Sequence, residues 1–169
     1  FVFEADKIGH ELMCKGEKVY KQIVDNFGTE ILCDNGEINR KIMSGLVFND
    51  KNKLEILNNI VHPAVILEIE KRMDEEKTIN KKEMFVIEAA LLLESGCDKI
   101  CDKIWYIYTD DEIRIERLKN GRGMKEEEIK AVMKNQLKSY EFQNKTGHLI
   151  DNSKSIEDTR NQIEKLLEF

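Results

Sequence analysis

A chain of 169 residues with 41% hydrophobic and 36% charged side chains and one proline is too apolar for a disordered tail and fits neither low-complexity nor collagen-like classes. It fits one helix-rich globular domain, long enough to bury roughly 70% of the surface its unfolded chain exposes. The balance of 27 basic against 33 acidic residues, net −6, argues against a nucleic-acid-coating surface, and the longest apolar run, Ala89 to Leu93, is far short of the roughly 20 residues of a membrane span.

In chain order, Phe1-Val2-Phe3 reads as a short strand running into a helix that carries Ile8, Leu12 and Met13. Val19, Tyr20, Ile23, Val24 and Phe27 mark one face of a second helix, with Gly28 where a C-terminal cap belongs. Asp34-Asn35-Gly36 is a turn signal. Further helices are predicted around Ile42, Leu46 and Val47, around Leu54 and Leu57, and over Val65, Ile66, Ile69 and Met73, with Pro63 in the first turn of the last. Residues 7 to 77 are therefore expected to be a run of helices packed beside a sheet. Met84 to Ile87 and Ile104 to Tyr108 then read as buried parallel strands. Thr109 with Glu112 predicts a capping box opening a helix with Ile113 and Leu118, and Ile129, Met133, Leu137 and Tyr140 define the next. Asn120-Gly121-Arg122-Gly123 between them reads as a flexible basic hinge. His148-Leu149-Ile150 is a last strand, and Ser155 with Asp158 caps a terminal helix bearing Ile156, Ile163, Leu166 and Leu167. Strands alternating with helices give an α/β class with a parallel sheet and no internal repeat.

The four cysteines, Cys14, Cys33, Cys97 and Cys101, form no C-x-x-C pair; Cys97 and Cys101 are four apart, a spacing that could share a helix face, but buried, reduced cysteine in a cytoplasmic protein is the expectation. Nothing resembles a signal peptide. In parallel sheets ligands gather at the carboxyl ends of the strands, where this chain places Glu4, Asp6, Glu88 and Asp151. A carboxylate there accepts a proton from an attacking hydroxyl or holds water on a magnesium ion. It also serves as an ordinary helix cap, the reading favoured for Asp151, while Asp6 and Glu88 stay open between the two. Arg114 and Arg117, three apart, share a helix face suited to clamping a phosphate, against the plainer reading that Glu112 and Glu116 answer them. His62 before Pro63 is biased to extended geometry and so to a helix junction. No G-K-S or G-K-T occurs anywhere, so Gly121-Arg122-Gly123 is no phosphate loop of the G-x-x-x-x-G-K-S/T kind.

Several segments in this order carry a resemblance. Glu4-Ala5-Asp6-Lys7-Ile8-Gly9-His10-Glu11-Leu12 is similar to D-A-D-x-I-A-H/R-E-L, and Asn35-Gly36-Glu37-Ile38-Asn39-Arg40 to N-G-x-I-D-R. Val47-Phe48-Asn49-Asp50 and Ile60-Val61-His62-Pro63 match V-F-x-D and I-V-H-P, Glu88 to Gly96 sits where D-x-P-L-L-F-E-S-G is found, and Leu149-Ile150-Asp151-Asn152 matches V-I-D-N. Together they resemble the dephospho-coenzyme A kinases over nearly the whole chain. Glu4 and Glu88 replace aspartates, Ala90 replaces a proline, the family's R-D-G reads Gly121-Arg122-Gly123, and Val132 stands where arginine is frequent.

The resemblance implies a three-layer P-loop kinase-like α/β fold: a core of residues 1–6, 80–109 and 146–169, a helical substrate region over 7–79, and a lid over 110–145. It implies transfer of the ATP γ-phosphoryl group to the ribose 3′-hydroxyl of dephospho-CoA, the final step of coenzyme A synthesis. Asp6 and Arg117 fall on catalytic positions, Asp6 as acceptor of the hydroxyl proton. His10, His62, Glu88 and Leu92 fall on the substrate side, Glu88 also near the metal and phosphates, and Arg122 and Asn152 fall at the nucleotide. Two strand-end carboxylates make a poor cage for an ion that dehydrates reluctantly, so Mg2+ is expected only with ATP and no protein-only metal site is expected. The partners expected are the small substrate alone, with no nucleic acid or membrane, in a monomer or weak oligomer. The family opens with a strand, the glycine-rich loop with its lysine, and a helix. With Phe1 to Ala5 as the second strand of that unit, on the order of 25 residues are expected before Phe1 in the native protein, and residues 1–169 alone are expected to fold poorly and lack turnover. Two other readings share the pattern: a different nucleoside or nucleotide kinase of this fold, and a non-catalytic binder of a coenzyme A-like ligand.

Overall fold

The computed structural model describes residues 1–48, 50–135 and 146–167. The chain forms two compact units, Phe1–Ile100 and Cys101–Phe169. Asn49, and Leu137 and Tyr140 of the second expected lid helix, lie outside the described residues.

In the first unit β1 (Val2–Glu4) passes directly into α1 (Ala5–Leu12), followed by α2 (Lys18–Phe27), a 3-10 turn over Thr29–Ile31, α3 (Arg40–Phe48), α4 (Lys51–Asn80), β2 (Val86–Glu88), the short α5 (Leu92–Ser95) and a 3-10 turn over Cys97–Ile100. β1 and β2 pair in parallel with Val2 opposite Val86, Phe3 opposite Ile87 and Glu4 opposite Glu88. The period of two turns Phe3 inward, where it is buried with Ala5, Ile8, Val65 and Ile69. A second cluster joins Val19, Ile23 and Phe27 of α2 to Ile31 and Met43, with Leu57, Ile60, Val61 and Ala64 of α4 packed against it. Gly28 ends α2 at φ +81°, a backbone conformation that side-chain-bearing residues rarely adopt. The turn around Gly36 also forms as expected, with the Asn35 side chain accepting from Glu37 N at 3.0 Å. Between residues 7 and 77 the described residues are helical apart from turns and one isolated bridge, Leu32 with Ile38.

Three expectations for this unit are corrected. The separate helices around Leu54 and after Pro63 are one helix of 30 residues, with Pro63 inside it and His62 in mid-helix, not at a junction. Proline removes one hydrogen bond and crowds the preceding turn, at about 3 kcal/mol. Apolar burial on both sides of Pro63, by Ile60, Val61 and Ala64 in one cluster and Val65 and Ile69 in the other, offsets that cost. The helix also starts firmly, since the Asp50 carboxylate accepts from Asn52 N at 3.0 Å and Lys53 N at 3.1 Å. Second, the stretch Met84 to Ile87 is not a buried strand: only Val86 and Ile87 of it belong to β2, and Met84 is 57% and Val86 49% exposed, because the helices cover only the Phe3 and Ile87 face of this pair. Third, the turn carrying Cys97 is too short to put Cys101 on a common helix face, ending at Ile100. None of the four cysteines forms a disulfide among the described residues, with Cys97 buried and Cys14 and Cys33 exposed.

The second unit comprises β3 (Trp105–Tyr108), α6 (Asp111–Arg122), α7 (Glu126–Asn135), β4 (His148–Asp151) and α8 (Ile156–Leu167). β3 and β4 are parallel, with Trp105 opposite His148 and Tyr108 opposite Asp151. Ile150 is fully buried, whereas Ile107 is 50% exposed, so β3 too is only half covered. The box expected from Thr109 and Glu112 does not form. Asp110 is the N-cap instead, without a capping bond of its own, because its carboxylate accepts the Tyr108 hydroxyl at 2.8 Å. Nor is the glycine stretch a hinge: Asn120, Gly121 and Arg122 complete α6, and Gly123, at φ +63°, is its left-handed C-terminal cap.

The box opening α8 does form. Ser155 Oγ accepts from Asp158 N at 3.1 Å, and the Asp158 carboxylate accepts from Ser155 N at 3.2 Å. The Ser155 hydroxyl also donates to that carboxylate, and this bond, with the one from Ser155 N, holds the Asp158 carboxyl below its usual range. Ser155→Ala is expected to lower stability by about 1 kcal/mol, read as a shift of the urea midpoint at unchanged slope; no shift would mean that the reciprocal bonds carry none of the helix start.

Candidate active site

At the carboxyl end of β1 the buried residues Phe3 and Ala5 anchor the chain inward, which turns Glu4 and Asp6 outward. Asp6 lies in the first turn of α1, exposed. It has no hydrogen-bond or ion-pair partner among the described residues, and its carboxylate caps nothing. Glu4 and Glu88 stand directly opposite on neighbouring strands and so share a face. Lys7 relieves this like-charge pair: its ammonium contacts Glu4 Oε1 at 2.7 Å. The hydrogen bond from Lys7 to Glu4, then the charges of Glu4, Glu11 and Glu88, push the Lys7 amine above its ordinary value. The result is an acidic, solvent-open edge with one carboxylate tied down and two available. No cluster of three or more metal-ligating side chains occurs among the described residues. His10 is exposed in the last turn of α1, four residues beyond Asp6 and hence on the same helix face.

A second group lies along α4 and α5. His62 lines an open cleft with Lys51, Leu54, Glu55, Asn58, Asn59 and Glu94. Leu92 opens α5 and is half-buried. Sequence reasoning found His62 and missed the polar neighbours, although Lys51, Glu55, Asn58, Asn59 and His62 recur at the spacing of one helix face. Burial pushes the His62 imidazole below its ordinary value of 6.5, and the Glu94 carboxylate opposes this only in part. Because the unfolded chain then takes up the proton first, the contribution of His62 to stability is complete above pH 6.5 and is lost as pH falls through the folded value. A proton-NMR titration of the His62 ring is expected to show a midpoint below 6.5, and a midpoint at or above it would contradict the dominance of burial.

In the second unit Arg114 bonds Asp111 at 2.8 Å, whereas Arg117 donates to backbone carbonyls, Nη1 to Asn152 at 2.6 Å and Nη2 to Lys154 at 3.1 Å. Neither Glu112 nor Glu116 answers the arginines, and the two guanidinium groups do not form a common clamp. Arg122 is exposed in the last turn of α6. The Asn152 side chain accepts from Thr159 Oγ1 at 3.0 Å. Asp151 serves its own turn, accepting from Ser153 N at 2.8 Å, and hydrogen bonding from Ser153 holds its carboxyl below the usual range. The structure thus brings together Glu4, Asp6, Glu88 and His10 around β1 and α1, His62 with α5, and Arg117 with Asn152.

The comparisons with known proteins point the same way. The family model described as dephospho-CoA kinase matches residues 1–158. A dephospho-CoA kinase of Aquifex aeolicus is 39% identical over 168 residues, which cover 99% of this chain and 84% of that protein. One of Lactobacillus johnsonii is 35% identical over 167 residues, with the same shares covered. Among solved structures, a dephospho-CoA kinase of Campylobacter jejuni superposes with a TM-score of 0.67 at 28% identity, covering 99% of this chain and 83% of that one. A Thermus thermophilus protein with a TM-score of 0.76 and 23% identity shares the fold, over 98% of this chain and 82% of that one. Matched in sequence across nearly its whole length and in fold to solved relatives, the chain belongs to the dephospho-CoA kinase family, phosphotransferases with a P-loop kinase-like α/β fold.

Proposed function

We propose that this protein transfers the γ-phosphoryl group of ATP to the ribose 3′-hydroxyl of dephospho-CoA, with Asp6 as the general base. The observation that carries this reading is the exposed Asp6 carboxylate, without a partner among the described residues, at the carboxyl end of β1, whose last residue Glu4 stands opposite Glu88, in a chain of this family. Asp6 accepts the proton of the 3′-hydroxyl as its oxygen bonds to the γ-phosphorus. The bond from that phosphorus to the β–γ bridging oxygen breaks, and ADP leaves. Glu88, a hard oxygen donor not tied to Lys7, fits a magnesium ion that keeps most of its water and enters with ATP. When bound, that ion supplies neutralisation of phosphate charge. The phosphate loop's contribution is assigned to no residue here, because the chain contains no G-x-x-x-x-G-K-S/T segment.

The helical region 7–79 is proposed to receive dephospho-CoA, with His10, His62 and Leu92 on its side, and 110–145 to act as lid, with Arg122 at the phosphates. Asn152 is placed at the nucleotide, and the protein is read as a cytoplasmic monomer or weak oligomer. No described helix is long and apolar enough to cross a membrane. The test is ADP release by the intact enzyme with ATP and Mg2+. Release that depends on dephospho-CoA, with a product phosphorylated at the 3′ position, supports the reading. Release driven equally by plain nucleosides favours a nucleoside kinase, and ligand binding without release favours a binder.

A further inference from the structure

We infer that Arg117 is a positioning residue, a fork that fixes the loop after β4 and thereby sets nucleotide affinity without taking part in the phosphoryl step. This rests on the kinase reading above. The loop lies at the carboxyl end of β4, the edge at which parallel strands present their ligands. Its polar groups are bonded from several sides. Asn152 N donates to Tyr108 O at 2.7 Å, and the Ser153 hydroxyl accepts from Asp110 N at 2.9 Å. Asp151 exchanges two bonds of 2.9 Å with the Gln162 amide.

Two carbonyls of the loop, those of Asn152 and Lys154, point to one place, and the Arg117 guanidinium fills it with one nitrogen on each. A planar fork reaches both acceptors at once; the compact ammonium of a lysine does not hold two carbonyls in that geometry. Among the described residues Arg117 has no carboxylate partner: its two bonding nitrogens serve backbone oxygens, so its charge assists the loop's shape. From α8, Thr159 holds the Asn152 side chain at 3.0 Å. The loop is thus clamped from α6 and from α8, and Asn152 takes its position from both clamps.

The experiment compares Arg117→Gln, Arg117→Lys and Thr159→Val in the intact enzyme. A charge-assisted hydrogen bond is worth about a factor of ten or more in an equilibrium. Each Arg117 variant is expected to raise the KM for ATP about tenfold while changing kcat much less, with the KM for dephospho-CoA nearly unmoved and Lys failing to rescue. Thr159→Val, which removes no charge, is expected to shift the KM for ATP in the same direction. A fall of kcat by about 10³-fold on Arg117→Gln at unchanged ATP affinity, the behaviour of an arginine that stabilises the transferring phosphoryl group, would overturn the inference. So would an unmoved KM for ATP in the Arg117→Lys and Thr159→Val proteins. ATP affinity by calorimetry reads the same loop without turnover, so the inference is decided even if the wild-type enzyme fails to phosphorylate dephospho-CoA. That failure would count against the kinase reading alone.

Discussion

Asp6→Asn in the active enzyme is expected to lower kcat by roughly 10²-fold or more while leaving ATP affinity and Tm nearly unchanged. The side chains are the same size, so the change removes a charge and a proton acceptor and little else. Asp6 is exposed and bonds to nothing among the described residues, so no capping bond or ion pair is lost with it. The remaining structural effect is its attraction to the N-terminus of α1, at most about 1 kcal/mol for an exposed group. Turnover and Tm therefore separate the two roles left open for this acid. A fall in Tm at unchanged turnover would make it a helix-start residue and remove the proposed base.

Ile69→Ala is expected to cost about 2–5 kcal/mol of stability, the range for truncating a fully enclosed side chain. Ile69 has no exposed surface and packs with Phe3, Ala5, Ile8 and Val65. Phe3, Ala5 and Ile8 form the junction of β1 and α1 that turns Asp6 outward, so the same change is expected to lower activity through loss of folded protein. Leu67, two residues away on the same helix and 66% exposed, is the control, with Leu67→Ala expected to stay within about 0.5 kcal/mol. Chemical denaturation of both variants measures the difference. Equal costs at the two positions would mean that the first cluster does not hold this unit together.

The elements legible in the sequence were those whose signals are local. The apolar run at Phe1 to Phe3, the apolar face of α2 with Gly28 behind it, and the Ser155–Asp158 box each specify their own conformation within a few residues. The illegible parts depend on distant partners. Pro63 stays within α4 because residues of α1, α2 and β1 cover the helix on both sides of it. Thr109 loses the cap of α6 to Asp110, whose side chain and backbone are held by Tyr108 and by Ser153 from the far end of the unit. At the site, Asp6 and Glu88 were visible as acids following strands. Their unequal circumstances were not, since Lys7 ties Glu4 and leaves the other two. For Arg117 the composition of α6 suggested carboxylate partners, and only the fold brings the carbonyls of residues 152 and 154 to it.

The continuity of α4 carries a last consequence. One uninterrupted rod, about 45 Å long at 1.5 Å per residue, forms a wall of both hydrophobic clusters, and Val61 borders the two. The strand pair that bears the acids and the helices that form the cleft therefore share a structural member, and their opening is coupled. In native-state hydrogen exchange the buried amides of α2 and those on either side of Pro63 are expected to report one common opening free energy, as a single foldon. At the seam itself Pro63 offers no amide, so the Asn59 carbonyl lacks its usual helical donor beside the cleft that holds His62. The rod's weakest turn is thus placed where a ligand in that cleft would brace it, and occupancy there is expected to slow exchange throughout the unit and not only at the residues touched.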